Sequence, residues 1–211
     1  MISLIHPSRG RPSKALKTMS DWSIRAGMRD FEYIISVDSE DPKAEDYKKY
    51  FPEWITVNNN LSVVDATNKA AAKSSGDILV YLSDDFDCPD FWVDLVEREF
   101  EGCNEPRLIK VDDCLQPFGV AVLTIPIMNR QLYERLGYFW HPSYRSMFVD
   151  EDLYWTASKL GALKLCPGLR FPHNHVSIGK AEDDETYKRS AANWDQGKQT
   201  FEQRKRLGFP A

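Results

Sequence analysis

Apolar and polar positions change period along the chain in a way that marks out its elements. Ile2 to Ile5 is a short apolar run, as in a buried strand. From Pro12-Ser13 the spacing becomes helical, through Leu16, Met19 and Ile24 to a stop at Gly27. Phe31 to Val37 is β-branched and aromatic and predicts a second strand, closed by the acidic turn Asp38-Ser39-Glu40-Asp41-Pro42. Trp54 to Val57 predicts a third, weaker strand that Asn58-Asn59-Asn60 breaks. Asp65 is placed to cap a helix through Ala66, Ala70, Ala71 and Ala72, ending at Ser74-Ser75-Gly76, and Ile78 to Leu82 follows as a near-continuous apolar strand. Such alternation over roughly the first 100 residues predicts an α/β sheet with right-handed crossovers, whose ligands sit beyond the carboxyl ends of the strands.

The second half has a different character. Leu108 to Val111 and Val120 to Ile125 read as strands, Asn129 to Leu136 and Asp152 to Leu160 as helices, and Tyr138 to Phe148 as an irregular aromatic stretch, so that this half faces a ligand rather than repeating the first. Glu182 to Arg206 is charged and poor in apolar residues, as in a surface helix packed through Tyr187, Ala191, Trp194 and Phe201.

With 211 residues, 42% of them hydrophobic, the chain has material for one core, and a single domain is expected. Lys and Arg number 27 against 32 Asp and Glu, and the resulting charge of −5 disfavours a nonspecific grip on nucleic-acid backbone. His6-Pro7 cuts the opening apolar run too short for a signal peptide, and no window approaches the roughly 20 apolar residues that span a bilayer, so a soluble cytoplasmic protein is expected. Cys88, Cys103, Cys114 and Cys166 form no C-x-x-C pair, which leaves reduced, structural thiols as the reading.

Several clusters point to chemistry. Ile78 to Leu82 runs into Ser83-Asp84-Asp85-Phe86-Asp87, three carboxylates within one turn at a strand's carboxyl end. Hard divalent ions such as Mg²⁺ and Mn²⁺ take such oxygen ligands and share them with substrate phosphates. A solvated acidic turn capping the next helix at Pro89 is the competing reading. Asp38 ends the second strand, where a carboxylate can accept from a base N–H or a ribose hydroxyl. Ser8-Arg9-Gly10-Arg11-Pro12 offers two guanidiniums for phosphates or a base, or simply two solvated arginines. Asp150-Glu151-Asp152 lies at a helix start, where one carboxylate serves as a cap and another can act as general base on a hydroxyl. His173-Asn174-His175 supplies two imidazoles that point oppositely in an extended segment, so one of them faces a given metal.

In this order the motifs resemble the GT-A glycosyltransferases, closest to family 2. Pro7-Ser8-Arg9-Gly10-Arg11-Pro12 is similar to that family's loop after its first strand, and Asp38 matches its nucleotide-base Asp. Asn68-Lys69-Ala70-Ala71-Ala72-Lys73-Ser74-Ser75-Gly76-Asp77 resembles its Asn-to-Gly-Asp segment, after which Ser83-Asp84-Asp85 falls on the DxD position. Asp150-Glu151-Asp152 resembles the acceptor-site "ED" motif, and His173 or His175 the late metal-binding His. The likeness covers roughly residues 1–180.

The resemblance implies a three-layer α/β/α sandwich around a mostly parallel sheet, with residues 1–100 binding a nucleotide-sugar, 101–180 forming the acceptor side and 181–211 a helical segment. It implies an enzyme that transfers a sugar, with inversion, from a nucleotide-sugar donor of the UDP type to a hydroxyl of a glycan, lipid-linked, protein or nucleic-acid acceptor. Pro7, Ser8, Arg9, Arg11, Asp38, Asn68, Ser83 and Asp84 would bind the donor. Ser83 stands where the family often has the first Asp of DxD, so Asp85 becomes the metal ligand for Mn²⁺ or Mg²⁺, with Asp84 or Asp87 and His173 or His175 beside it. Aligned on the following Leu-Tyr the base is Asp150, and on the literal Glu-Asp pair Asp152; the first is preferred. Trp140, His141, Tyr144 and Trp155 would stack on the acceptor, although aromatics in such a loop also serve as core. A nucleotidyltransferase is the nearest rival, but it wants a Gly-rich phosphate loop with a Lys after the first strand. A noncatalytic nucleotide- or carbohydrate-binding module would have no use for a second carboxylate cluster.

Overall fold

A computed structural model describes residues 1–180 and 185–210, with the side chains of all but residues 186 and 187. Tyr187, expected to pack the last helix, lies outside the described side chains. The elements in chain order are β1 (Ile2–Pro7), α1 (Pro12–Arg25), β2 (Glu32–Asp38), α2 (Ala44–Tyr50), β3 (Ile55–Asn58), α3 (Val63–Lys73), β4 (Ile78–Tyr81) and α4 (Trp92–Phe100). They continue through β5 (Leu108–Asp112), β6 (Ile127–Asn129), α5 (Arg130–Leu136), α6 (Val149–Lys159), β7 (Leu163–Arg170), a 3-10 turn (Val176–Ile178), α7 (Glu185–Ala191) and α8 (Trp194–Leu207).

The strands form one sheet in the order β3-β2-β1-β4-β6-β5-β7, parallel throughout except for β6, which runs antiparallel to both neighbours. Both faces are covered, which is why β1 is buried at all six positions. One face packs Leu4, Ile35 and Val80 against Trp22 of α1, Tyr47 of α2 and Trp92 of α4. The other packs Leu79, Leu108 and Met128 against Leu132 of α5, Leu153 of α6 and Phe201 of α8. The mostly parallel three-layer sandwich expected from the sequence is the architecture observed.

Details depart from expectation for physical reasons. Residues 120–125 form no strand: the Lys110 ammonium binds the carbonyls of Val120 and Val122, so these backbone groups are satisfied outside any ladder, and the strand comes later, as β6. Ser62, not Asp65, caps α3, its hydroxyl accepting from Asp65 N–H at 3.2 Å while the Asp65 carboxylate accepts from Leu61 N–H at 2.9 Å. Helix α6 begins at Val149, three residues before the predicted start, which brings all three acids of Asp150-Glu151-Asp152 into its first turn. Strand β7 and helix α2 carry patterns too mixed to be read from sequence. The tail folds as two helices; Phe201 is buried, whereas Trp194 is half exposed against Phe148 and Ala191 is exposed.

Candidate active site

The carboxyl ends of β1, β2 and β4 lie side by side, and the segment after β4 is pinned from below. Trp22 donates its indole N–H to the Phe86 carbonyl at 3.0 Å, and the Thr18 hydroxyl donates to the Asp84 carbonyl at 3.0 Å. Within this turn the two adjacent acids part company. Asp84 faces inward: His6 and Ser8 bond its carboxylate at 3.0 and 2.9 Å, and the network runs on from His6 to the Tyr33 hydroxyl and from Ser8 to the Tyr47 hydroxyl. Every member is buried. Burial followed by the charge of Asp84 raises both tyrosines, so their hydroxyls stay protonated. Asp84, expected at the donor, is thereby committed to holding β1, β2 and β4 together.

Asp85 faces the segment after β7. Its carboxylate lies 3.4 Å from His173 Nε2, and His173 stacks on Phe86 at 4.3 Å and is fixed by a backbone bridge to it. His175 sits behind, 4.9 Å from His173 between ring centroids, with Nδ1 taken up by Ser177; burial and then the neighbouring His173 lower its pKa. Asp87 is exposed and accepts from the Asn174 amide at 2.9 Å. Among the described residues no three His, Cys, Asp or Glu side chains converge as a complete metal cage. A carboxylate oxygen facing an imidazole nitrogen nevertheless suits Mn²⁺ or Mg²⁺ when phosphate oxygens and water complete the shell. Asp85 and His173 are therefore the described side chains that would fit such a metal.

Beside this turn a cavity of about 280 Å³ opens, with Pro7, Ser8, Arg9, Ser36 and Asp38 on one wall and Arg145, Ser146, Arg189 and Asn193 on the other. Arg9 forms an ion pair with Asp38, whose second oxygen accepts from Glu40 N–H at 3.0 Å. Ser83 is half-buried in the turn, and Arg11 caps α1 with its main chain, donating to the Tyr47 hydroxyl at 2.9 Å; neither lines the cavity. Nor does Asn68: its amide accepts from Phe139 and Trp140 N–H at 3.0 and 2.8 Å and donates to the Trp140 carbonyl at 2.7 Å, clamping the loop after α5 onto α3. A larger open depression, about 500 Å³, lies at the amino end of β4 beside Asp77, away from these groups.

The second acidic cluster also divides. Asp152 is 1% exposed, and Arg204 of α8 grips its carboxylate at 2.5 and 3.1 Å, with the Tyr144 hydroxyl donating at 2.9 Å. Held this way it ties α6 to α8, with both carboxylate oxygens occupied. Asp150 is different: burial, and next the charge of Glu151, lift its carboxyl to about 6. Glu151 is also raised by burial. Phe148, at φ 69°, turns the chain into α6 immediately before them. Asp84, Asp85 and Asp150 all act electrostatically on Tyr81, at the end of β4. Lys110, buried between the Phe118 and Tyr154 rings, feels Asp150 as well.

The expected acceptor aromatics are mostly interior. Trp140 and Tyr144 are 4% and 2% exposed, and His141 is bound by Arg204 at 2.8 Å, with burial and then that guanidinium lowering its pKa. Of the four, Trp155 is the exposed one, lying parallel to Phe209. Sequence reasoning missed His6, Tyr47, Lys110 and Arg204. The first carried a signal, as a His at the end of a largely apolar strand; the others meet their partners only through the fold.

No family model and no curated protein sequence matches the chain. Solved structures do. Residues 1–349 of S. aureus TarS in complex with UDP-GlcNAc are 10% identical with a TM-score of 0.61, over 89% of this chain and 63% of that one. Glucosyl-3-phosphoglycerate synthase from Mycobacterium tuberculosis, in complex with Mn²⁺, UDP and phosphoglyceric acid, is 14% identical with a TM-score of 0.62, over 92% and 77%. Mannosyltransferase PcManGT from Pyrobaculum calidifontis, in complex with GDP-Man and Mn²⁺, is 12% identical with a TM-score of 0.60, over 82% and 56%. This chain spans about three fifths of the TarS 1–349 chains it matches. At such identities the likeness is one of fold, and the fold of this chain is the GT-A fold.

Proposed function

We propose that this chain is a metal-assisted glycosyltransferase that moves a sugar from a nucleotide-sugar donor to an acceptor hydroxyl with inversion. What supports the reading is a pair of separate carboxylate sites, Asp85 facing His173 after β4 and Asp150 in the first turn of α6, whose charges both act on Tyr81, with burial lifting the Asp150 carboxyl to about 6. Fold neighbours bound to UDP, UDP-GlcNAc or GDP-Man, two of them with Mn²⁺, support the donor class. No helix among the described residues is long and apolar enough to cross a membrane, and the free cysteines suit the reducing cytoplasm, which is the compartment we propose.

In this reading residues 1–100 hold the donor, with Arg9 and Asp38 in the cavity wall and Asp85 and His173 toward the diphosphate, while 101–180 carry the acceptor side. Bound between Asp85 and His173, Mn²⁺ or Mg²⁺ would neutralise charge on the departing diphosphate. Asp150 accepts the acceptor's hydroxyl proton as that oxygen bonds to the anomeric carbon, and the electron pair of the broken bond leaves with the diphosphate. A base titrating near 6 is ionised at neutral pH yet still basic enough to take the proton. Burial of Asp152 under Arg204 favours Asp150 over it as the base.

The test measures nucleotide release from a panel of UDP- and GDP-sugars, with water as acceptor, alongside calorimetric donor binding with Mn²⁺ or a chelator. Asp85→Asn should abolish the metal dependence of binding. Asp150→Asn should bind the donor normally and lose about 10²- to 10⁴-fold in release. Unchanged metal dependence in the first variant, or full turnover in the second, would overturn the assignment of that residue.

A further inference from the structure

Strand β5 carries a buried lysine that faces α6. Lys110 is 4% exposed. Its ammonium donates to the Val120 carbonyl and, at 2.9 Å, to the Val122 carbonyl, and it lies 5.4 Å from the centre of the Phe118 ring, so the loop after β5 closes over one side of it. On another side it lies 5.5 Å from the centre of the Tyr154 ring. Tyr154 is one helical turn beyond Asp150, so the two share a face of α6, and the ammonium meets the face that bears Asp150. A buried cation is costly unless carboxylates answer it, and those acting on Lys110 are Asp113 and Asp150. Asp113 is engaged in holding the loop: one oxygen accepts from the N–H groups of Leu115 and Gln116 at 3.0 and 2.9 Å, the other from the Thr124 hydroxyl at 2.8 Å.

We propose that Lys110 is a positioning residue for the transfer step: braced by the loop after β5, its ammonium is the counter-charge that keeps Asp150 an anion ready to accept the acceptor's proton. The inference rests on the Asp150 base of the proposed function and adds to it the group that tunes that base. Burial and then the charge of Glu151 push the Asp150 carboxyl toward its protonated form, while the N–H groups of Glu151 and Asp150 and the charge of Lys110 pull the other way. The charged and titratable groups acting around Asp150 are thus Glu151 on its own helix, Lys110 on β5 and Tyr81 on β4. Tyr81 is raised by burial and then by Asp85, Asp84 and Asp150, so it stays neutral and Lys110 is the cation. Asp152 shows the contrasting arrangement, in which the Arg204 guanidinium bonds the carboxylate directly and occupies its oxygens. The Lys110 ammonium uses its bonds on carbonyls and stabilises the Asp150 anion through space, which leaves the carboxylate oxygens for a substrate hydroxyl.

The test is the pH profile of nucleotide release by the full chain in Mn²⁺, from the UDP- or GDP-sugar that the native protein turns over. The native profile should fall on its acid side around pH 6. Lys110→Met should move that limb up by about half a unit to one unit, with a loss of up to about threefold at pH 6.5 that disappears by about pH 8.5, and should leave calorimetric donor affinity within about twofold. Lys110→Gln, which can still donate to a carbonyl, should move the limb as Met does and carries the test should Lys110→Met fail to fold. Lys110→Arg, which keeps the charge, should hold the limb near its native place. Without any donor, the rise of Tm on acidification should begin about half a unit to one unit higher in Lys110→Met than in the native protein, and should be absent from Asp150→Asn with or without Lys110→Met. A limb unmoved in the folded Met or Gln variant, or a loss equal at every pH as loosening of the loop alone would give, overturns the role of Lys110 while the transferase reading stands. A native profile with no acid limb overturns the Asp150 base and the inference with it.

Discussion

Replacing Arg204 by Met probes the joint between the last helix and the helix carrying Asp150. The Arg204 and Asp152 side chains are 9% and 2% exposed, and two guanidinium N–H groups meet the carboxylate at 2.5 and 3.1 Å. Breaking a buried pair from one side costs about 3–5 kcal/mol, since the other charge is left in a medium that solvates it poorly. Asp152 would keep the Tyr144 hydroxyl at 2.9 Å and the Thr156 hydroxyl at 3.3 Å, so the lower end, about 3 kcal/mol, is expected at pH 7. For a chain of this size that is a fall of about 6–12 °C in Tm. Urea unfolding followed by the fluorescence of the six Trp residues gives the free energy directly. The double variant Arg204→Met/Asp152→Leu should recover at least half of the loss, because no charge remains buried. A loss below about 1 kcal/mol in the single variant, or a double variant as unstable as the sum of the two singles, would refute the reasoning.

Two further outcomes follow from groups near the site. Asp150 titrates near 6 because burial disfavours its anion, so nucleotide release should fall about tenfold per pH unit below that value, and a flat profile between pH 7 and 5 would exclude it as base. The sign for stability is the reverse of a salt-bridged carboxylate's: the native state binds this proton more tightly than the unfolded chain, so Asp150 contributes stability as pH falls from about 6 toward 4, a rise that Asp150→Asn should remove from a plot of Tm against pH. Gly197 packs α8 directly under the Met147 carbonyl, where a Cβ would press into backbone. Gly197→Ala should therefore lose about 1–3 kcal/mol despite the better helix propensity of Ala, and a gain in Tm would show that the loop yields.

The central strands β1, β2 and β4 are legible in the chain because they are largely apolar and buried on both faces, and runs such as Ile78 to Leu82 admit few other uses. What escapes is whatever depends on partners far apart in sequence. Asp84 and Asp85 are identical in composition and adjacent in the chain, yet one meets His6 and Ser8 and the other His173, some 76 to 88 positions away. Asp150 and Asp152 differ for the same reason, since Arg204 lies 52 residues beyond the acid it neutralises. An aromatic loop suggests stacking on an acceptor because local sequence carries no record of which side of a ring is covered; Trp140 and Tyr144 are covered by the second core. Lys110 shows the converse, a charged residue in an apolar strand whose ammonium organises a loop that otherwise reads as a strand.

One wall of the cavity beside Asp38 is not part of the sheet. Ser146 donates to the Ser190 carbonyl and Gln196 to that of Ser143, so the loop bearing Arg145 and the helix bearing Arg189 are latched together and stand on α8. A ligand filling the cavity contacts this assembled wall, and its binding energy is available only to molecules in which the C-terminal helices are docked. Thermodynamic reciprocity then requires that whatever favours docking tightens the ligand, and that the ligand protects those helices from opening by the same factor. Hydrogen exchange along α7 and α8 is thus a gauge of occupancy at a cavity whose other wall is some 150 residues earlier in the chain.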